Sequence, residues 1–399
     1  MIKKIGILTF WEFPEGMAPT TRILAYSKGL VTNNVNVYIY SVKRIFKDEL
    51  HSIRESGVVN GARYSYLHFF NSLGRKRKVF RIIDEIILRI KLIFNVWKSN
   101  RNDPFNCFFI SFDDNHSFSA YLKLIKFFNI PLIFVADEFP IPIRDFMKNE
   151  VPIDMLDKYR YHHKSFSARI LMSNALKEFY DNQIFPKPTF ILNTIIDASR
   201  FISEFQYNYH GIPYICYMGN LDLRKDNVQN IIEAFSLIHS DFPELELHLY
   251  GVPSAEHLSH LRDKVRNLFI TDKVMFKGRA GYQEVPSILK NAKVLVNSQP
   301  ITKRAQGGFP TKLGEYLLSS RPSVFTDSGD ISLYIKDRKH AFIVDPENPI
   351  AYSKTLRYIL ENYSEALTIA YEGTRFVSEN FDAKSQTKEL VEFLDVNLK

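Results

Sequence analysis

The chain has 399 residues, more than one hydrophobic core usually serves, so two domains are expected. With 45% hydrophobic and 24% charged residues its composition is that of a soluble globular protein, which argues against a disordered chain. Two cysteines are too few for a disulfide framework, no apolar run is long enough to span a bilayer, and a net charge of +8 is modest for this length.

Cys107 and Cys216 each sit in an apolar run, CFFI and YICYMG, and read as small buried hydrophobes in a reducing compartment. The opening stretch MIKKIGILTFWEF holds Thr9 and Glu12 and lacks a small-residue cleavage site, so a first β-strand is expected there rather than a leader peptide. The positive charge is local. Between Arg75 and Lys98 eight basic residues face two acidic ones, Asp84 and Glu85, a pattern that suits an anionic surface better than a nucleic-acid-binding module.

In chain order, the first half alternates strand-like and helix-like stretches. Strands are predicted at Ile2 to Phe10, Val35 to Ser41, Phe105 to Phe112, Pro131 to Ala136, Ala168 to Ser173 and Phe190 to Asn193. Helices are predicted at Thr20 to Val31 and Ser117 to Phe128. Lys78 to Trp97 carries apolar residues at helical spacing over a wide face. That helix either packs on its own domain or lies in a membrane interface, since four basic residues precede it and Trp97 ends it.

The second half repeats the pattern. Strands are predicted at Tyr214 to Met218, Leu245 to Tyr250, Lys273 to Phe276, Val294 to Asn297, Ser323 to Thr326 and Ala341 to Val344. Helices fall at Asp226 to His239, Ala255 to Asn267, Tyr282 to Asn291, Pro310 to Ser319 and Pro349 to Glu361. Alternation of this kind implies parallel sheets, because a parallel crossover needs about a dozen residues. The expected architecture is α/β, two Rossmann-like domains facing across a cleft, divided in the turn-rich stretch Asn208 to Pro213. Ligands of open parallel sheets bind beyond the strands' C-terminal ends, where helix N-termini turn N–H groups outward.

The segment Gln306 to Pro322, QGGFPTKLGEYLLSSRP, follows a predicted strand and turns into a helix. Gly307 and Gly308 allow close backbone approach, Pro310 suits a first helical turn, and amides there could cradle a diphosphate. Glu315 lies about a turn and a half further on. A carboxylate accepts two hydroxyl hydrogen bonds in a fork, as a ribose diol offers; on spacing alone it could equally be a solvated helix residue.

Gly308-Phe309-Pro310-Thr311-Lys312-Leu313-Gly314-Glu315-Tyr316, closed by Arg321-Pro322, resembles the signature of GT-B glycosyltransferases of family 4. That family often carries two glutamates eight positions apart; the second matches Glu315, and Gly307 stands where the first would be. A further match is Gly219-Asn220-Leu221-Asp222-Leu223-Arg224-Lys225 ahead of Ile231-Ile232-Glu233-Ala234-Phe235. The resemblance implies that Lys225 contacts the donor diphosphate, with Arg224 or Arg304 supplying a second charge where many relatives have an arginine and this chain has Asn220. A lysine at a helix start is poorly placed against the helix dipole unless an anion sits there. Gly251, Gly278 and Arg279, in loops after strands, lie where similar enzymes hold the nucleoside base, and backbone amides of Gly307 to Phe309 would stand in for the absent glutamate.

In the first half the resemblance is carried by the loop Glu12 to Arg22 with its single Gly16, placed to sense the diphosphate or the acceptor. His116, in the loop DDNH, could approach the transferred sugar or have no role. Asp137 and Glu138 occupy another strand-end loop, whereas His162 and His163 are expected to be structural or solvated. No metal is expected, because no Asp-x-Asp follows an apolar strand and Asp113 and Asp114 are adjacent.

The resemblance thus implies an N-terminal acceptor domain (1–208) and a C-terminal nucleotide-sugar donor domain (209–383), with a last helix near 384–398 packing back on the first. The implied function is hexosyl transfer from a nucleoside diphosphate sugar, a UDP-sugar favoured over a GDP-sugar, to a saccharide or lipid-linked acceptor with retention, in polysaccharide or glycan assembly. Lys225, His116 and Arg304 are the catalytic candidates. Gly16, Gly219, Asn220, Arg224, Lys225, Gly251, Arg279, Gly307, Gly308, Phe309, Pro310, Thr311, Lys312 and Glu315 are the donor-binding candidates. The donor is the expected small-molecule partner, no cofactor or nucleic acid is implied, and the expected location is cytoplasmic, at the inner membrane face if residues 75–98 are interfacial. The alternatives are a GT-B subunit that has lost turnover and binds a partner transferase, or an inverting enzyme.

Overall fold

The computed structural model describes residues 1–16, 18–43, 54–67, 78–111, 118–144, 150–201, 211–223 and 225–398. The chain divides into two compact units, Met1–Asp197 with Ala383–Lys399, and Ala198–Asp382.

Unit 1 opens with β1 (Lys4–Thr9), α1 (Ala18–Thr32) and β2 (Asn36–Ser41), then β3 (Ser56–Val59) and β4 (Ala62–Tyr66). It continues through α2 (Lys78–Asn100), β5 (Cys107–Ser111), α3 (Phe118–Lys126) and β6 (Leu132–Ala136). Short α4 (Ile141–Arg144) and α5 (Ile153–His163) lead to β7 (Phe166–Leu171), α6 (Asn174–Phe179) and β8 (Thr189–Ile191). The eight strands form one sheet in the order β3-β4-β2-β1-β5-β6-β7-β8, parallel except for the β3–β4 pair. Strands covered on both faces read as continuous apolar runs, and β1 (KIGILT) is buried at every position.

The β3–β4 hairpin had no counterpart among the predicted strands. It turns on Asn60-Gly61, both at positive φ (49° and 80°), the geometry of a two-residue hairpin loop. Its strands are short and half-exposed, so they carry too few apolar residues to register as a run.

A 3-10 turn, Ala198–Phe201, opens unit 2, followed by β9 (Tyr214–Met218), α7 (Val228–Ser236), β10 (Glu246–Tyr250), α8 (Ala255–Asn267) and β11 (Val274–Gly278). Then come α9 (Val285–Asn291), β12 (Val294–Val296), α10 (Lys303–Gly307), α11 (Lys312–Leu318) and β13 (Ser323–Thr326). The unit closes with α12 (Ile331–Tyr334), β14 (Phe342–Val344), α13 (Pro349–Glu361) and α14 (Tyr363–Asn380). Its six strands are all parallel, in the order β11-β10-β9-β12-β13-β14. The strand order reverses between β9 and β12, the topological switch point beside which ligands of such sheets bind. Side-chain caps set the helix starts: Asn227, Ser254 and Asn348 accept from the amides of Asn230, His257 and Ala351.

The last helix, α15 (Ala383–Asn397), belongs to unit 1 and packs on α1. Asn33 Nδ2 donates to the Lys384 carbonyl at 2.8 Å and to Thr387 Oγ1 at 2.9 Å. Both cysteines are buried and free, and burial pushes both thiols up. No helix of the described residues is long and apolar enough to cross a membrane.

Candidate donor-binding site in unit 2

Three loops meet at the C-terminal ends of β9, β10 and β11. The Gly219 N–H donates to the Tyr250 carbonyl at 3.0 Å, and the Gly251 N–H to the Gly278 carbonyl at 2.8 Å. Gly251 has φ +148°, and a side chain there would run into the Gly219 carbonyl. Of the loop residues, Asn220 and Arg279 are exposed, while Gly219, Gly251 and Gly278 are half-buried.

α7 begins at Val228, two residues beyond the predicted start, so Lys225 lies in the preceding turn rather than in the helix. Its N–H donates to the Asp222 carbonyl at 2.9 Å.

The predicted helix Pro310 to Ser319 is α11, Lys312–Leu318, and a short helix not anticipated, α10, precedes it and carries Lys303, Arg304 and Gly307. α10 changes the expected amide cradle. The Gly308 N–H closes onto the Arg304 carbonyl at 3.1 Å, so that amide is engaged by the end of α10. The Phe309 ring is buried edge-on to Tyr334 and Phe381, at centroid distances of 5.9 and 6.3 Å, and Pro310 is buried beside it. This pair anchors the loop; Thr311 and Lys312 stand at the start of α11.

Residues 312, 315 and 316 of α11 reach three different partners, as positions three and four apart share a helix face. Lys312 Nζ donates to Asp226 Oδ2 at 3.1 Å and to Tyr217 Oη at 3.3 Å. Tyr217 Oη lies 2.7 Å from the same Asp226 oxygen and 2.8 Å from the Asn220 carbonyl oxygen. Burial pulls the Lys312 ammonium down from its usual range, Asp226 opposes that pull, and Lys225 adds to it. Lys312 and Lys225 are therefore close enough to feel each other. Tyr316 Oη accepts from the Met218 N–H at 2.8 Å, tying α11 to the end of β9.

Glu315 is ion-paired with Arg200. Arg200 also donates to the Tyr282 carbonyl at 2.7 Å, and its guanidinium lies 3.7 Å from the centroid of the Tyr282 ring. The carboxylate is thus fixed by a stacked, nearly buried arginine rather than solvated. Arg200, Tyr282, Asp226 and Tyr217 were not among the sequence candidates. Asp226 could have been suspected as the acid beside Lys225; Arg200 lies 115 residues from its partner and carries no local signal.

The remaining candidates lie elsewhere. Gly16 sits in the turn before α1, where Thr20 Oγ1 donates to the Glu12 carbonyl at 2.6 Å. His116 and Arg224 are outside the described residues. Asp137 pairs with the buried Arg22 at 3.2 Å and Glu138 with Arg144 at 3.3 Å. His163 is buried against Phe134, Phe166 and Tyr180. Among the described residues no group of three or more His, Cys, Asp or Glu is placed to hold a metal ion.

Residues 200–376 match the model of the glycosyl transferases group 1 family. Mannosylfructose-phosphate synthase of Agrobacterium fabrum is 27% identical over 172 residues, 42% of this chain, and the match spans only 35% of that relative's length. Sucrose-phosphate synthase from Thermosynechococcus elongatus superposes with a TM-score of 0.73 at 13% identity, covering 99% of both chains. Anabaena HepE in complex with UDP and glucose gives 0.70 at 14% identity, covering 99% of this chain and 100% of that one. The chain has the GT-B glycosyltransferase fold, and residues 200–376 of its C-terminal unit are similar to the glycosyl transferases group 1 family.

Proposed function

We propose that the protein transfers a hexose from a nucleoside diphosphate sugar, a UDP-sugar ahead of a GDP-sugar, to a hydroxyl of a saccharide or lipid-linked acceptor. Unit 2 carries the donor and unit 1 the acceptor-side residues. The observation that carries the reading is the face of α11 at the switch point of a parallel sheet: Glu315 is held in place by Arg200, and Lys312, one turn away, is in turn close to Lys225. A fixed carboxylate suits a ribose diol and neighbouring cations suit a diphosphate.

In this reading Lys225 stabilises charge growing on the departing phosphate, with Arg304, Arg224 and His116 as further contributors. Gly219, Gly251 and the exposed Arg279 border the nucleoside. The leaving phosphate oxygen takes the acceptor proton on the face it vacates, which retains the anomeric configuration, and the protein contributes positioning and electrostatics. The reaction asks for no cofactor besides the donor. The setting is cell-surface polysaccharide or glycan assembly, by a cytoplasmic protein peripheral to the inner membrane face.

Thermal shifts with UDP, GDP and ADP test the donor, since a ligand of the folded state raises apparent stability by mass action. UDP should give the largest shift, and Glu315→Ala should remove it. Glu315→Ala and Lys225→Ala should each lower turnover strongly with the fold intact; full activity in both would sink the assignment. Gly307, where relatives often place a glutamate, favours one rival, a subunit that binds a partner transferase without turnover. Donor hydrolysis by the isolated chain decides against it, and the anomer of the product separates retention from inversion.

A further inference from the structure

The helix α2 has two apolar faces, and among the described residues one is buried and the other exposed. Leu88, Leu92 and Val96 are buried, as a helix packed on its domain requires. Eight further large apolar side chains point away: Ile82, Ile83, Ile86, Ile87, Ile90, Ile93, Phe94 and Trp97, each 37% to 60% exposed. At 100° per residue these eight fall within an arc of about 140°. Cations border that arc on both sides, Arg89 on one edge and Lys91 and Lys98 on the other. The two acids of the helix, Asp84 and Glu85, lie off the arc. Asp84 is buried, and Glu85 is held by Arg89 at 3.4 Å and the Tyr121 hydroxyl at 2.7 Å. In sequence, the basic run Arg75-Lys76-Arg77-Lys78 leads into the helix.

We infer that this outer face of α2 docks on an anionic lipid bilayer, the helix lying in the plane of the interface with its isoleucines, Phe94 and Trp97 among the acyl chains and its cations at the headgroups. An apolar stripe edged by cations, with an aromatic at its end, matches that environment on both counts. A second copy of the chain fits less well. Pairing the stripe with itself would set basic border against basic border, with no acid on the outer face of α2 to answer them. The ion pairs that Lys91 and Arg89 make, with Glu55 at 3.6 Å and Glu85 at 3.4 Å, are partly exposed and weak enough for lipid phosphates to displace. The inference deepens the proposed function at one point, making the acceptor a membrane-borne one, and rests on that reading only there.

The test uses the full chain and vesicles of phosphatidylcholine with or without phosphatidylglycerol. The chain should sediment with the phosphatidylglycerol vesicles, release as salt is raised, and leave pure phosphatidylcholine largely unbound. In a Trp11→Phe background, Trp97 emission should shift to the blue on binding. The Ile90→Glu/Phe94→Glu variant changes exposed side chains only, so its melting temperature and UDP-induced shift should match the parent while vesicle affinity drops about tenfold or more. No sedimentation with anionic vesicles overturns the inference. So does a dimer in analytical ultracentrifugation that this variant converts to monomer. Glu315→Ala should bind vesicles normally, so failure of the membrane surface and failure of the donor site are read separately.

Discussion

Glu315 and Lys312 sit three residues apart on α11 yet are held by different devices. Glu315 faces Arg200, whose guanidinium is stacked on Tyr282 and bonded to its carbonyl. If Arg200 orients the carboxylate for a ribose diol, Arg200→Ala should raise the donor KM about tenfold and change kcat less, with Arg200→Lys intermediate because an ammonium cannot stack and fork together. Steady-state kinetics against donor concentration measures this; a fall confined to kcat would place the role elsewhere. Lys312 pairs with Asp226, which is 3% exposed. Lys312→Met strands that carboxylate beside the Tyr217 hydroxyl and should cost about 3 kcal/mol in urea unfolding. Removing both charges, as Lys312→Met/Asp226→Leu, should recover much of that loss.

At the scale of elements, α/β alternation was legible because most predicted strands are buried apolar runs and several helices start at a capping residue. Ala255–Asn267 and Pro349–Glu361 emerge with the predicted limits. α10 was not anticipated because five residues carry no periodicity, and its presence changes how the Gly307-Gly308 segment is used. The β3–β4 hairpin was signalled by Asn60-Gly61 alone. Gly61 has φ +80°, and an added Cβ would stand 2.6 Å from Val31 Cγ1 of α1. Gly61→Ala should therefore cost about 1–2 kcal/mol of unfolding free energy, whereas Asn60→Gly should be close to neutral.

At the scale of the whole molecule, several histidines are kept neutral by burial. The aromatic packing around His163 lowers it from 6.5 to about 3, and His162, His248 and His340 are lowered by the same cause. A neutral folded histidine gains its proton only on unfolding, so stability is full above 6.5 and is lost as the pH falls toward 3. His163 alone should contribute a loss of about 2 kcal/mol between pH 7 and 5, which urea titrations would show and His163→Leu should remove. By itself the sequence determined the repeated parallel α/β pattern, the loops at strand ends and the motif on α11, because periodicity, caps and glycine positions are local properties of the chain. The tertiary structure alone decided that Glu315 meets Arg200, that Lys312 meets Asp226, and that the apolar outer face of α2 is exposed among the described residues. Those pairings join residues 86 and 115 positions apart, and no local preference records which side chains the fold will set face to face.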